Sequence, residues 1–178
     1  MEKIKIIKEN IKSIPDFPKK GIIFRDITTL ISNPVSFKAV IEAMEEALNL
    51  HELDRVVAIE SRGFLFGSIL AHKLGLPLEL VRKPGKLPRQ TFKETYDLEY
   101  GSDTLEIHTD ALHKGDKVVI VDDLLATGGT AKATCKLIKQ LEAQVIAAIF
   151  VVELQDLPGR KALEELENPP EVISLVKY

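Results

Sequence analysis

Asp122 and Asp123 stand side by side after the run Val118-Val119-Ile120-Val121, and Ala126-Thr127-Gly128-Gly129-Thr130 follows closely. Two adjacent carboxylates have no place in a core, so the chain is expected to surface at this point. The β-branched run ahead of them, apolar on both faces, predicts a strand inside a parallel sheet. In open α/β sheets the carboxyl ends of such strands are where ligands bind. The small polar segment suits a phosphate. Two glycines let successive N–H groups converge, and the start of a following helix adds unpaired N–H groups and a positive dipole end. Thr127 and Thr130 add hydroxyl donors. The Walker spacing and its lysine are missing, and two acids just upstream would repel a triphosphate. The carboxylates are better suited to accept from neutral hydroxyls. Asp123 and Thr127 are separated by three residues, which keeps the two sites within ~14 Å of each other. A sugar with hydroxyls on one side and a single phosphate on the other fits, and ribose 5-phosphate is the obvious candidate. The competing reading is an ordinary strand-to-helix turn with solvated acids.

The elements that must position these groups are legible as two similar units. Val56–Ile59 predicts a buried strand, then a glycine-bearing loop Glu60-Ser61-Arg62-Gly63, a helix over Phe64–Leu74, and a second strand over Pro77–Val81. Downstream the order repeats: strand 118–121, helix from about Thr130 to Leu141, strand Val145–Val152. In that helix Ala131, Cys135, Ile138 and Leu141 fall on one face and Lys132, Lys136 and Lys139 on the other. Two such βαβ units with right-handed crossovers predict an α/β fold, a parallel sheet with helices on both faces. Residues 2–12 have helical spacing at Ile4, Ile7 and Ile11, broken by the prolines of Ser13–Lys20. Asn33 is placed to cap a helix with Pro34 in its first turn, lined on one face by Phe37, Val40, Ile41, Met44 and Leu48. A short alternating strand is expected near Val172–Val176. The stretch Arg82–Thr104 lacks sustained apolar periodicity, and connections of that length are usually functional or disordered.

Composition narrows the class. A chain of 178 residues, 45% hydrophobic and 29% charged, is expected to be one soluble domain. A net charge of −3 gives no general basic footprint for nucleic acid. The apolar run Val145–Val152 is far short of the ~20 residues of a membrane span, and the start Met1-Glu2-Lys3-Ile4-Lys5 does not read as a secretory signal. The single cysteine, Cys135, excludes an internal disulfide and reads as a small core residue, which suits a reducing, cytoplasmic setting.

Further groups gather around the phosphate segment in sequence. Arg82, Lys83, Lys86, Arg89 and Lys93 fall in one stretch with no acid among them. They read either as a solvated cationic loop or as an anion site. Arg62, beside Gly63, suits pyrophosphate or a structural pair with Glu60. Glu99 and Tyr100 read as surface groups or as the acid, base or lid groups of a mobile loop. Phe24, between Ile23 and Arg25, reads as core or as a stacking surface for a planar heterocycle.

The segment Val118–Thr130 resembles the signature of the type I phosphoribosyltransferases, which use 5-phosphoribosyl-1-pyrophosphate (PRPP). Pro15–Leu30, Ala58–Gly67, Arg82–Pro88 and Leu98–Gly101, taken with it, resemble the adenine-using branch of that family over nearly the whole chain. Glu60 occupies an acidic position that is often Asp there. The resemblance implies a central, mainly parallel twisted sheet with helices on both faces, an N-terminal hood over about 1–33 and a lid over about 82–104. It implies that Asp122 and Asp123 take the ribose hydroxyls, and that Ala126, Thr127, Gly128, Gly129 and Thr130 take the 5′-phosphate. Ser61, Arg62, Arg82 and Lys86 would hold pyrophosphate. Phe24 would stack on adenine, with Ile23 and Arg25 at its edge. Glu99 would be the acid or base, with Tyr100 on the lid. Mg²⁺ would arrive with the substrate rather than in a dedicated cage. The implied reaction is adenine plus PRPP giving AMP plus pyrophosphate. A homodimer is implied, with Arg82 near the subunit boundary, and neither nucleic acid nor membrane as partner. Whether the Glu60–Ser61 peptide is cis, as its counterpart often is, stays open. The rivals are a transferase for another purine base and a non-catalytic sensor of PRPP.

Overall fold

The computed structural model describes residues 2–97 and 101–178. Helix α1 (Glu2–Glu9) leads into an antiparallel hairpin of β1 (Lys12–Pro15) and β2 (Ile23–Asp26), then a single turn α2 (Thr28–Ile31) and the long α3 (Pro34–Leu48). The first βαβ unit is β3 (Arg55–Ile59), α4 (Gly63–Leu74) and β4 (Leu78–Val81). A second antiparallel hairpin follows, β5 (Thr91–Asp97) with β6 (Ser102–His108). The second unit is β7 (Lys117–Leu125), α5 (Gly129–Gln140) and β8 (Gln144–Glu153), and the chain closes with α6 (Gly159–Glu164) and β9 (Glu171–Lys177).

The central sheet has the order β4-β3-β7-β8-β9, with every neighbouring pair parallel. Strand alternation divides its two faces. Val119 and Val121 point into the layer formed by α1, α3 and α4, while Val118 and Ile120 point into the layer formed by α5, α6 and β6. All four are fully buried, and each such side chain contributes about 1.5–3 kcal/mol on leaving water. Helix α3 begins as expected: the Asn33 side chain accepts from the Val35 N–H at 2.9 Å, with Pro34 in the first turn. Val40, Ile41, Met44 and Leu48 are buried along its inner face.

The strand order creates the site. From β3 the chain passes through α4 to β4 on one side, and from β7 it passes through α5 to β8 on the other. The carboxyl ends of β3 and β7 therefore open onto a crevice where the winding reverses, which is where ligands lie in open α/β sheets. Gly63 sits in that crevice: a Cβ there would lie 2.7 Å from the Val121 carbonyl oxygen and 3.1 Å from Asp122 Oδ1. Only glycine lets α4 start this close to β7.

Two expectations change. The strand carrying Asp122 and Asp123 does not surface after Val121. It runs on to Leu125 and keeps its pairing with β8, Asp122 opposite Phe150 and Leu124 opposite Val152. At this end of the strand the second acid is met by a cation, Arg62. In the stretch 82–104 the described residues from Thr91 onward pair as two antiparallel strands, while 82–90 is an irregular connection with one bridge, Arg82 to Glu106. The pattern of the two strands has period two: Leu105 and Ile107 are buried, and Phe92 and Tyr96 pack against the same cluster. The charged residues between them mask that alternation in the sequence.

Candidate active site

Asp123 is 5% exposed, and its carboxylate accepts from Arg62 Nε at 2.5 Å. This ion pair bridges the ends of β3 and β7, so Arg62 pairs with Asp123 and not with Glu60. Asp122 Oδ1 accepts the Asp123 backbone N–H at 2.8 Å. Burial, followed by the adjacent charge of Asp123, holds the Asp122 carboxyl well above the usual carboxylate range. Arg62 offsets the charge of Asp123, which lessens the repulsion that two bare carboxylates would offer an incoming anion.

The segment after β7 folds into an anion cradle. Gly128 caps α5 with φ +83°, in the left-handed region, and no side chain occupies the first N–H groups of the helix. Those free donors and the helix dipole favour an anion. The loop is held from behind by the start of α6. A Cβ on Gly128 would lie 2.8 Å from the Gly159 carbonyl oxygen, and one on Gly159 would lie 2.3 Å from that of Ala126. Ala126, Thr127, Gly128, Gly129 and Thr130 line a cavity of about 260 Å³ together with Arg62, Asp122 and Asp123.

A second cavity of about 280 Å³ adjoins it and shares Arg62, Asp123 and Leu124. Its other wall is the hood: Ile23, Phe24 and Arg25 of β2, with Val152 and Leu154 from the end of β8. The Phe24 ring is braced edge-on by Phe17, with centroids 5.2 Å apart. The Arg25 guanidinium lies 3.9 Å from the Tyr178 ring centroid and bonds Ser13 Oγ, which ties β2 to the end of β9. The two cavities share the Arg62–Asp123 pair and Leu124 as a common wall.

The basic stretch is not a bare positive field. Glu60 Oε1 accepts from Lys86 Nζ at 2.7 Å, and Oε2 accepts from the Lys83 backbone N–H at 2.9 Å and Arg82 Nε at 3.2 Å. Burial of Glu60 opposes its charge, but Lys86, the Lys83 amide and Arg82 outweigh it and lower the carboxyl to about 2. Lys83 pairs with Asp103, Arg89 with Asp110 and Lys93 with Glu106. The sequence window contains no acid because the acids arrive from β3, β6 and the turn after it.

Of the expected residues, the structure brings Asp122, Asp123, Arg62 and Ala126–Thr130 into one cavity and Ile23–Arg25 into its neighbour. Arg82 and Lys86 line neither cavity; they reach the first through Glu60, which does. Ser61 is exposed beside Arg62, and the Glu60–Ser61 peptide is cis. Glu99 and Tyr100 lie outside the described residues. Sequence reasoning did not single out Tyr96, Leu105 and Leu124, which also line the first cavity. Phe92 and Tyr96, on one face of the same strand with Glu94 between them, were the signal available for Tyr96. Cys135 is buried, and burial pushes its thiol up to about 12, in keeping with a core residue.

A switch-point crevice, a phosphate-type loop after an acid pair and a cationic loop after the neighbouring strand together define a phosphoribosyltransferase-type site. A family model for the phosphoribosyl transferase domain matches residues 26–173. An adenine phosphoribosyltransferase of Carboxydothermus hydrogenoformans is 57% identical over 172 residues, covering 97% of this chain and 99% of the relative. That of Vibrio atlanticus is 55% identical over 177 residues, covering 99% and 97%. The crystal structure of adenine phosphoribosyltransferase from Thermoanaerobacter pseudethanolicus superposes with a TM-score of 0.93 at 50% identity, covering 98% of this chain and 99% of that one. The chain belongs to the adenine phosphoribosyltransferase family.

Proposed function

We propose that this chain transfers the 5-phosphoribosyl group of PRPP to N9 of adenine, giving AMP and pyrophosphate. The observation that carries the reading is the pair of adjoining cavities. One has a phosphate cradle and an acid pair, the other has an aromatic, largely apolar wall, and Arg62, Asp123 and Leu124 belong to both. A nucleoside monophosphate spans such a boundary, with its sugar at the shared wall.

In this reading the free N–H groups at the start of α5 and the hydroxyls of Thr127 and Thr130 hold the 5′-phosphate. Asp122 and Asp123 meet the ribose hydroxyls. Phe24 stacks on adenine while backbone groups of Ile23 and Arg25 read its edge. The departing pyrophosphate takes over Arg62, Arg82 and Lys86 from their resting partners Asp123 and Glu60. Because those cations already sit on acids, leaving-group charge exchanges one set of charge-assisted bonds for another and leaves no cation bare. The sugar passes through a state with oxocarbenium character, from which the 82–104 region excludes water as a lid. Glu99 handles the adenine proton, with Tyr100 beside it.

Asp122 and Asp123 are hard oxygen donors beside the site of diol and diphosphate, which fits Mg²⁺ bound mainly by substrate oxygens and water. Among the described residues no group of three or more His, Cys, Asp or Glu side chains is arranged to hold a metal ion. When bound, the ion would supply neutralisation of the leaving diphosphate. The proposal extends to a single domain over 1–178 with its hood at about 1–33, to a homodimer and to a cytoplasmic setting. Leu65 and Ile69, exposed on the outer face of α4, offer apolar surface for the dimer. No helix among the described residues is long and apolar enough to cross a membrane.

The test is to incubate the purified protein with labelled adenine, PRPP and Mg²⁺, in competition with hypoxanthine, guanine and xanthine. Formation of labelled AMP, undiminished by the other bases, is expected. Preferential use of another base would replace the adenine assignment, and binding of PRPP with no product from any base would make the protein a sensor.

A further inference from the structure

The Tyr96 hydroxyl stands 3.1 Å from Thr130 Oγ1 and 3.3 Å from Asp103 Oδ2. Tyr96 and Thr130 both line the phosphate cavity, and so does Lys83, whose ammonium pairs with the same Asp103 oxygen. The other oxygen of Asp103 accepts the Thr104 N–H at 2.8 Å. A tyrosine hydroxyl has one proton to give, a threonine hydroxyl has one, and a carboxylate has none. Two proton orders are therefore available. If Tyr96 donates to Asp103, Thr130 donates to Tyr96 and keeps no proton for a ligand. If Tyr96 donates to Thr130, the Thr130 proton is free to point into the cavity.

We propose that Tyr96 is a positioning residue for the 5′-phosphate, acting through Thr130. Phosphate binding selects the second order: Tyr96 turns its proton from Asp103 to Thr130, and Thr130 donates to the phosphate. Asp103 stays satisfied by Lys83 and the Thr104 N–H, so the reversal strands no acceptor. This inference rests on the phosphate reading of the Ala126–Thr130 cradle. It also makes the β5–β6 hairpin responsive to what the cradle holds, since Tyr96 and Asp103 lie on its two strands. The hairpin has a separate anchor on α5: Glu94 accepts from Lys136 Nζ at 2.7 Å and from Gln140 Nε2 at 3.4 Å. Loss of the Tyr96 hydroxyl therefore leaves the hairpin docked.

The experiment titrates ribose 5-phosphate and, separately, pyrophosphate into the wild type, Tyr96→Phe, Thr130→Val and the double variant by calorimetry, with thermal melts alongside. Tyr96→Phe should bind ribose 5-phosphate about fivefold to tenfold more weakly, because Thr130 loses the neighbour that holds its hydroxyl oriented into the cavity. Its pyrophosphate affinity and melting temperature should hold. The double variant should be no weaker than Thr130→Val alone. The proposal is overturned if Tyr96→Phe binds ribose 5-phosphate like wild type, or if the two losses multiply in the double variant. It is equally overturned if pyrophosphate affinity and melting temperature fall in step, because then the hydroxyl serves to hold the hairpin in place and has no particular role toward the phosphate. Failure of the wild type itself to bind ribose 5-phosphate would remove the phosphate reading, and this proposal with it.

Discussion

Replacing Asp123 by Asn separates the sugar-binding role of the acid pair from its hold on Arg62. The substitution keeps the shape of the side chain and removes its charge. Asp123 is 5% exposed and is bonded to Arg62 Nε at 2.5 Å. Half of the Arg62 side chain is open to solvent, so water can replace the lost carboxylate, and the fold should lose only about 1 kcal/mol. A ribose hydroxyl is in a different position. It donates to a charged acceptor that is almost wholly buried, a bond worth about 1.5–3 kcal/mol, which converts to a loss of about 10- to 150-fold in kcat/KM for PRPP. Pyrophosphate should bind no more weakly than before, because Arg62 has been released rather than removed. The assay is steady-state kinetics with PRPP varied, paired with calorimetry of pyrophosphate and a thermal melt. Unchanged kcat/KM would refute the diol role of Asp123. An equal loss for PRPP and pyrophosphate would show that the substitution disorders the crevice and says nothing about the sugar.

Three further outcomes are expected. Gly128→Ala forces a Cβ into a left-handed position 2.8 Å from the Gly159 carbonyl oxygen; the backbone alone costs about 1–2 kcal/mol, so both the melting temperature and the PRPP affinity should fall, and a variant unchanged in both would show that the loop does not need this cap. Glu60 has a folded carboxyl lowered to about 2, so its clamp on Arg82 and Lys86 should stabilise the fold fully above the unfolded value of roughly 4.3 and be lost as pH falls through about 2; the advantage of wild type over Glu60→Gln, about 1 kcal/mol after allowing for solvent screening of the exposed partners, should shrink between pH 5 and 2 in thermal melts, and a gap independent of pH would dismiss the clamp. Glu99→Gln should lower kcat more than it raises KM for adenine, and a retained kcat would take the proton from Glu99.

Much of the sheet was legible because its strands are short β-branched apolar runs bounded by glycine-bearing turns. Val118–Val121 and Val145–Val152 are apolar on both faces because helices cover both sides, and Gly63 and Gly128 mark the turns that follow the strands. The cap Asn33-Pro34 likewise declares itself in two residues. The pairing of β5 with β6 was harder to read, since Glu94 falls between Phe92 and Tyr96 on the same face and the buried partners Leu105 and Ile107 come several residues later in the chain. The charge state of the site was not readable at all. The sequence places five cations together without an acid, and it places two acids together without a cation. Folding then pairs Arg62 with Asp123 across β3 and β7, Arg82 and Lys86 with Glu60, and Lys83 with Asp103. Such pairs depend on which strands become neighbours, and spacing along the chain does not record that. The split into two cavities has the same origin, because the hood reaches the end of β8 only after the chain has folded.

Determination of a crystal structure with AMP bound tests the central arrangement most directly. The phosphate should lie on the amides of Ala126–Thr130, the ribose hydroxyls against Asp122 and Asp123, and the adenine on Phe24 between Ile23 and Arg25. AMP seated elsewhere, or with its base in the Ala126–Thr130 cavity and its phosphate toward the hood, would contradict it.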